Sequence, residues 1–301
     1  MRILYVAKHG SGDNDDEGAI AFALEKLGHQ VVRVSEESSN LHLVSADFCL
    51  FHKGFDVVKI IALRIPKVFW YFDLIKSKDH SLDSRLLPRE AWVNEVLPHC
   101  LCGFCSDGDY VARVSSFKLL HLMQGCDERA AWDGNRTGEL FPFPIVFPGS
   151  PRVGTERRNH IEALRRRYPT SFSVVGESTK IRRHGSKLSR ILVYAKITIA
   201  PIGPTSDRYW SNRIYLVTSL GGFLIHPRCS LLEEHYTEGE EIVCYKSIPE
   251  SFDKIDYYLT HDEERERIRV AGWKRALASN TYYHRCKYLI SQVESRMACT
   301  T

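Results

Sequence analysis

Short apolar runs alternate with segments of helical apolar spacing along residues 2–123. The chain opens with the apolar run 2–7, a Gly/Asp-rich loop, the helical segment Gly18–Gly28 and a second apolar run at 30–34. Further strands are predicted at Asp47–Phe51, Lys67–Phe72, Leu101–Cys105 and Leu119–Met123, and helices near 55–63, 84–97 and 108–115. This alternation predicts a mostly parallel sheet with helices on both faces.

Glycines and prolines interrupt the pattern over residues 126–147, which predicts a linker, and the alternation then begins again. The second series predicts strands at Pro144–Phe147, Phe172–Val175, Ile197–Ala200, Gly222–His226 and Ile242–Tyr245, helices near 155–167, 186–195, 209–219 and 250–259, and two final helices at His261–Ser279 and Thr281–Arg296. Because the alternation of strands and helices occurs twice, the sequence predicts two α/β units.

The composition is consistent with two domains and favours a soluble protein over a membrane protein. The chain has 301 residues, of which 44% are hydrophobic, enough for one large core or two medium cores. No apolar run approaches the roughly 20 residues of a membrane span, and residues 2–7 follow no basic region or cleavage site. We therefore expect a soluble, cytoplasmic protein.

Nine cysteines lie mostly within apolar segments, which favours reduced thiols over a disulfide framework. The run from His99 to Cys105 contains a CxxC pair and could hold zinc. A structural zinc site usually takes ligands from a second loop, and this run has the pattern of a buried strand. No metal is expected.

Positive charge is concentrated in one region, although the formal net charge is only +4. Residues 151–190 hold eleven Lys or Arg side chains against three acids, a local net charge of +8. A solvated helix face with a basic loop is one interpretation. The other is an anionic partner, either a donor diphosphate or the phosphates of a nucleic acid.

The run Tyr209–Pro227, continued by Leu231-Leu232-Glu233-Glu234 and Glu240-Glu241-Ile242-Val243, combines a helix, a paired-glycine turn, an apolar strand and trailing carboxylates. It resembles the nucleotide-sugar half of group 1 glycosyltransferases, especially the spore-maturation-like branch. The resemblance implies that Glu233, or its neighbour Glu234, holds the ribose hydroxyls of a donor. One position departs from the family: Leu216 stands where a second glutamate is usual.

Three further segments carry the same resemblance: Pro66–Asp73, Leu122–Asp127 and Gly154–Glu177. The fold that it implies is α/β of the GT-B type, two Rossmann-like doubly wound domains with a cleft between them and a C-terminal helix crossing back. Residues 1–140 with 280–301 form the expected acceptor-side domain, and residues 141–279 the expected nucleotide-sugar domain.

The first loop contains a G-x-G after a strand and invites comparison with dinucleotide-binding proteins. Its four carboxylates, from Asp13 to Glu17, would repel a pyrophosphate, which argues against an NAD-linked oxidoreductase. The acids can serve as helix caps. Alternatively, Asp13 or His9 takes the proton from an acceptor hydroxyl.

Asp73 ends an otherwise apolar strand, and carboxyl ends of parallel strands face the ligand crevice in this architecture. The resemblance implies that Asp73 lines the acceptor side. Asp107 and Asp109 occupy a similar loop, where an ordinary turn or helix cap is the simpler interpretation.

Departure of a nucleoside diphosphate requires fixed positive charge near the leaving phosphates. Arg213 is the first candidate, followed by Arg208 and Lys196, although the last two could equally be exposed basic side chains. The remaining donor-side candidates are loop residues after strands: Gly149, Ser150, Arg152, Gly176 and Glu177.

These observations favour a metal-independent glycosyltransferase without a resident cofactor, with a UDP-sugar as the expected donor. The segment from Lys8 to His29 resembles glycosyltransferases of bacteriophage and metagenomic origin, which suggests a 5-hydroxymethylated pyrimidine in DNA as acceptor. A saccharide or cell-envelope hydroxyl is the competing acceptor. A nucleotide-sugar-binding module without catalysis, suggested by Leu216, also stays open.

Overall fold

The computed structural model describes residues 1–9, 15–38, 40–52, 57–75, 87–135, 141–151, 155–175, 186–201 and 206–299. By contacts it divides into unit 1, Met1–Gly125 with Tyr282–Thr301, and unit 2, Cys126–Thr281. The strands are β1 Arg2–Ala7, β2 Gln30–Ser35, β3 Phe48–Phe51, β4 Lys67–Tyr71, β5 Cys102–Cys105, β6 Leu119–His121, β7 Ile145–Pro148, β8 Phe172–Val175, β9 Ile197–Ile199, β10 Leu224–Pro227 and β11 Val243–Tyr245.

The helices in the same chain order are α1 Asp16–Lys26, α2 Val57–Ile61, α3 Leu87–Val96, α4 Gly108–Val114, α5 Thr155–Arg167, α6 Ser186–Tyr194, α7 Arg213–Ser219, α8 Ile248–Thr260, α9 Asp262–Ser279 and α10 Tyr282–Ala298. Within the part of the chain that the structure describes, no helix combines the length and the apolar character needed to cross a membrane.

Unit 1 is a parallel six-stranded sheet in the order β2-β1-β3-β4-β5-β6. Its inner strands β1, β3, β4 and β5 are buried on both faces, so their sequences are almost continuously apolar, whereas the edge strand β2 is partly exposed. Alternate residues separate into two cores: Tyr5 and Trp70 join one, and Val6 and Phe69 the other. Helix α10, although last in the chain, packs against α1 of this unit.

Unit 2 repeats the arrangement with five parallel strands in the order β11-β10-β9-β7-β8. One face of the sheet packs with α5 and α8 in a core that includes Phe147, Leu164 and Ile255. In each unit the second strand pairs on one side of the first strand and the third on the other. The order therefore reverses between β1 and β3 in unit 1, and between β7 and β9 in unit 2, the points where open α/β sheets bind ligands.

The predicted strands and helices are present, with small shifts at their ends. The largest shift is in α7, which begins at Arg213 rather than at residue 209 because Tyr209 pairs with Ser206 in an isolated bridge. The predicted linker belongs by contacts to unit 2, where the Trp132 amide donates to the Ser219 carbonyl at 2.9 Å.

Candidate functional site

The switch point of unit 2 is bridged by a buried arginine. Arg157, on α5, is 8% exposed, and its guanidinium donates to the carbonyl of Pro201 after β9 (Nε···O 3.1 Å) and to that of Ser150 after β7 (Nη1···O 3.4 Å). The two loops flanking the switch point are therefore tied to one positive charge. Arg157 is one of the eleven basic residues of the segment 151–190, and its burial shows that this side chain does not belong to a solvated helix face.

Arg213 supplies a second guanidinium at the same loop. Its Nε donates to the Pro148 carbonyl at 2.8 Å, and its guanidinium carbon lies 4.9 Å from the ring centre of Phe147. Gly149 permits this approach, because a Cβ there would lie 2.5 Å from Phe147 Cζ and 2.9 Å from Arg213 Nη2. The structure thus brings together three predicted residues, Gly149, Ser150 and Arg213.

His226, which sequence analysis did not select, lies near the end of β10 and is fully buried. Its Nδ1 donates to the Pro227 carbonyl at 2.7 Å, which leaves the lone pair on Nε2. Within the described part of the chain, Nε2 has no hydrogen-bond partner. Burial, reinforced by the charge of Arg213, lowers the pKa of His226 to about 4, so the imidazole stays neutral beside Arg213 at physiological pH.

The predicted carboxylates lie in the loop that follows β10. Glu233 and Glu234 occupy a 3-10 turn, Leu232–Glu234, and both are exposed. Arg208 is exposed in the turn beside this loop, where the Ser230 amide donates to the Asp207 carbonyl at 2.7 Å. Arg208 follows β9 and the two acids follow β10, so all three lie after neighbouring parallel strands, on the carboxyl side of the sheet.

Lys196 lies elsewhere, because it precedes β9 and so lies at the amino end of that strand. Its Nζ donates to the Leu259 carbonyl at 3.1 Å and pairs with Asp262 at 3.2 Å. The structure does not bring Lys196 to the carboxyl edge. Four predicted site residues lie outside the described ranges: Asp13, Arg152, Gly176 and Glu177.

The switch point of unit 1 is bridged by a phenol and an imidazole. The Tyr5 hydroxyl on β1 donates to His52 Nε2, just after β3, at 2.7 Å, and His52 Nδ1 donates to the Trp70 carbonyl at 2.8 Å. Burial lowers the pKa of His52 to about 4 and raises that of Tyr5. His9 lies against the same phenol, with ring centroids 5.3 Å apart.

Glu17, in the first turn of α1, is a second residue that sequence analysis did not single out. Its pKa is raised to about 7, first by burial and then by the neighbouring carboxylates of Asp16, Asp15 and Glu36. Asp15 caps the helix by accepting from the Gly18 amide at 2.7 Å. The sheet edge of unit 1 thus carries a group that exchanges protons near neutral pH.

Asp73 follows β4 as predicted, is partly exposed and lies 3.9 Å from Arg89. Asp107 has a structural role: it is fully buried, caps α4 through the Tyr110 amide at 3.0 Å and accepts from the Ile75 amide at 2.9 Å. Among the described residues, no group of three or more His, Cys, Asp or Glu side chains has a metal-binding arrangement. Burial raises the pKa of the Cys100 thiol to about 12 and that of Cys102 to about 11.

Comparison with known structures defines the class of fold. Over 98–100% of both chains, the protein is similar to Anabaena HepE crystallised with UDP and glucose (11% identity, TM-score 0.64), to a sucrose-phosphate synthase from Thermosynechococcus elongatus (12%, 0.65) and to a glycosyltransferase from Rickettsia africae (11%, 0.63). The fold is therefore that of the GT-B glycosyltransferases.

Comparison by sequence covers a shorter part of the chain than comparison by structure. Residues 155–291 match a family model described as glycosyl transferase-like. No curated protein matches the chain in sequence. The matched residues run from α5 into α10 and include Arg157, Arg213, His226 and the Glu233 loop.

Proposed function

We propose that the protein is a glycosyltransferase that moves a sugar from a UDP-sugar to an acceptor hydroxyl. The observation that carries the proposal is the pair of guanidinium groups, Arg157 and Arg213, at the switch point of unit 2. Fixed cations at this point suit a diphosphate. The glycosyl transferase-like match over the same residues and the UDP bound to HepE support the choice of donor.

Transfer joins the acceptor oxygen to the anomeric carbon and breaks the bond from that carbon to the β-phosphate oxygen, which keeps the electron pair. Arg213 is proposed to stabilise the new charge on UDP. Glu233, with Glu234 in reserve, is proposed to accept hydrogen bonds from the ribose hydroxyls. The reaction needs no resident cofactor, so we expect EDTA to leave it unchanged.

The acceptor is proposed to bind at the carboxyl edge of unit 1. His9, Asp73 and Glu17 are the groups available there to take the acceptor proton. Glu17 has a pKa of about 7, which suits proton transfer near neutral pH because efficient acid–base groups titrate close to the working pH.

A 5-hydroxymethylated pyrimidine in DNA is the acceptor that we propose to test first. Three exposed arginines of α5, Arg158, Arg165 and Arg166, offer contacts for phosphates. The test is mass spectrometry of nucleosides from hydroxymethylcytosine or hydroxymethyluracil DNA after incubation with UDP-sugars. A sugar mass on the modified base supports this acceptor. If the DNA gains no sugar and a saccharide acceptor becomes labelled, the acceptor is the saccharide.

A nucleotide-sugar-binding protein without catalysis is the second candidate. Leu216, half-buried on α7, favours it, because a leucine cannot hydrogen-bond a sugar at a position where the resembled family has a glutamate. Release of UDP distinguishes the two candidates. A catalyst releases UDP in an acceptor-dependent way, whereas a binding module gives calorimetric heat with the UDP-sugar and no UDP.

A further inference from the structure

The main chain next to Glu233 is held by side chains from the end of α9. Arg275 donates from Nε to the His235 carbonyl at 3.0 Å and from Nη2 to the Glu234 carbonyl at 3.3 Å. Asn280, which is 2% exposed, donates from Nδ2 to the same His235 carbonyl at 3.1 Å. Two residues far along the chain thus fix two successive peptide groups of an exposed loop.

The His235 ring is oriented by the same asparagine. Because Nδ2 of Asn280 donates to a carbonyl, its Oδ1 faces the ring, 3.1 Å from His235 Nδ1. An amide oxygen only accepts, so Nδ1 carries the proton. The Asn280 amide therefore contacts both the main chain and the ring of one residue.

The same ring nitrogen also contacts α7. The Tyr215 hydroxyl lies 3.0 Å from His235 Nδ1 and accepts from Trp210 Nε1 at 3.0 Å. Trp210 and Tyr215 are fully buried. Since α7 begins at Arg213, this network joins the carboxylate loop to the helix that carries the proposed diphosphate-binding arginine.

We propose that Arg275 and Asn280, acting through the Glu234–His235 main chain and the His235 ring, are positioning residues that set the Glu233 carboxylate against the ribose of the donor. This inference rests on the proposed function. An exposed carboxylate on an unrestrained loop would lose conformational freedom on binding, and prior fixation of its main chain removes that loss. These two residues, here called the Arg275–Asn280 clamp, should therefore strengthen the preference for nucleotides that carry ribose hydroxyls. They should contribute little to binding of the diphosphate.

The test is calorimetry with UDP and with 2′,3′-dideoxy-UDP. The wild type should prefer UDP by roughly tenfold to a hundredfold, as expected for a hydrogen bond to a charged group. Arg275→Ala and Asn280→Ala should reduce this preference at least threefold while leaving dideoxy-UDP affinity unchanged. Lys274→Ala, an exposed neighbour on α9, is the matched control and should behave as wild type.

A double-mutant cycle with Glu233→Gln separates positioning from a general effect on the fold. If the clamp acts through the carboxylate, adding Arg275→Ala to Glu233→Gln changes UDP affinity no further. Full additivity, or equal weakening of both nucleotides, overturns the inference. Arg275 is partly exposed, so Arg275→Ala is expected to fold. It tests the positioning role by itself if Asn280→Ala does not fold. Absence of UDP binding by the wild type overturns the proposed function itself.

Discussion

The two units share one strand order but place opposite chemistry at the point where that order reverses. In unit 1, a phenol donates to a neutral imidazole across the switch point, and the carboxylates at the start of α1 lie nearby. In unit 2, the corresponding position holds Arg157 and Arg213, bonded to main-chain carbonyls. One topology therefore provides an edge that disfavours anions and an edge that attracts them.

This difference indicates which ligand each unit suits. The diphosphate of the proposed UDP-sugar matches the guanidinium groups of unit 2, whereas the proton-exchanging Glu17 of unit 1 matches a neutral hydroxyl.

Arg213→Ala should lower kcat by about two to three orders of magnitude at saturating UDP-sugar, because its charge acts most strongly as the diphosphate leaves. Steady-state kinetics measure the effect, with the melting temperature as a check on folding. Lys196→Ala, at the opposite end of the sheet, is the control and should keep wild-type kcat. Equal kcat in wild type and Arg213→Ala would remove Arg213 from the site.

Acid should destabilise unit 2 more than unit 1. Burial lowers the pKa of His160 and His226 in unit 2, and of His52 in unit 1, to about 4. Each contributes stability that is present above its unfolded pKa near 6.5 and lost as pH falls through 4, up to about 3 kcal/mol per group. Glu17 in unit 1 has the opposite sign, since its raised pKa favours folding below 4.5 and loses that contribution as pH rises through 7.

Hydrogen exchange resolved along the chain measures this difference between pH 7 and pH 4.5. The core strands of unit 2, such as β7 and β9, should lose more protection than β1 and β3 of unit 1. Earlier loss in unit 1 would mean that the buried histidines do not control acid stability.

Glu233→Ala should raise the donor KM several-fold to a hundredfold and change kcat little, because a hydrogen bond to a charged group contributes about 1.5–3 kcal/mol. Glu234→Ala is the matched comparison and should have the smaller effect. Unchanged donor affinity in both variants, measured by calorimetry, would show that this loop does not hold the ribose.

The smallest effect concerns the exposed arginines of α5. If DNA is the acceptor, Arg158→Gln should flatten the log–log dependence of DNA binding on salt by roughly 0.9. Arg157→Gln is not an equivalent variant, because Arg157 holds the Ser150 and Pro201 loops. A saccharide acceptor predicts binding that barely depends on salt.

The alternation of apolar runs predicts the strands well because parallel strands in a doubly covered sheet are continuously apolar. The Glu233 loop was predicted from the family resemblance and Arg213 from the need for positive charge near the leaving phosphates, and the geometry adds their hydrogen-bond partners. The burial of Arg157 could have been predicted from the sequence. Helical spacing places it on the same face of α5 as His160, Ile161 and Leu164, the face that packs on the core.

Other features depend on tertiary packing that the sequence pattern does not contain. His226 follows the core residue Ile225 in a buried strand, which places it on the opposite face but does not reveal its neighbour Arg213. The pKa of Glu17 depends on burial and on Glu36, a residue distant in sequence. The hydrogen bonds from Arg275 and Asn280 to the His235 carbonyl join residues that are 40 and 45 positions apart in the sequence.

Calorimetric titration of UDP into the wild type and four variants tests the division between the units most directly. Arg213→Ala and Glu233→Ala, in unit 2, should each weaken UDP binding, whereas His9→Ala and Glu17→Gln, in unit 1, should leave it at the wild-type value. Loss of UDP affinity in the unit 1 variants, with retention in both unit 2 variants, would contradict the assignment of the donor to unit 2.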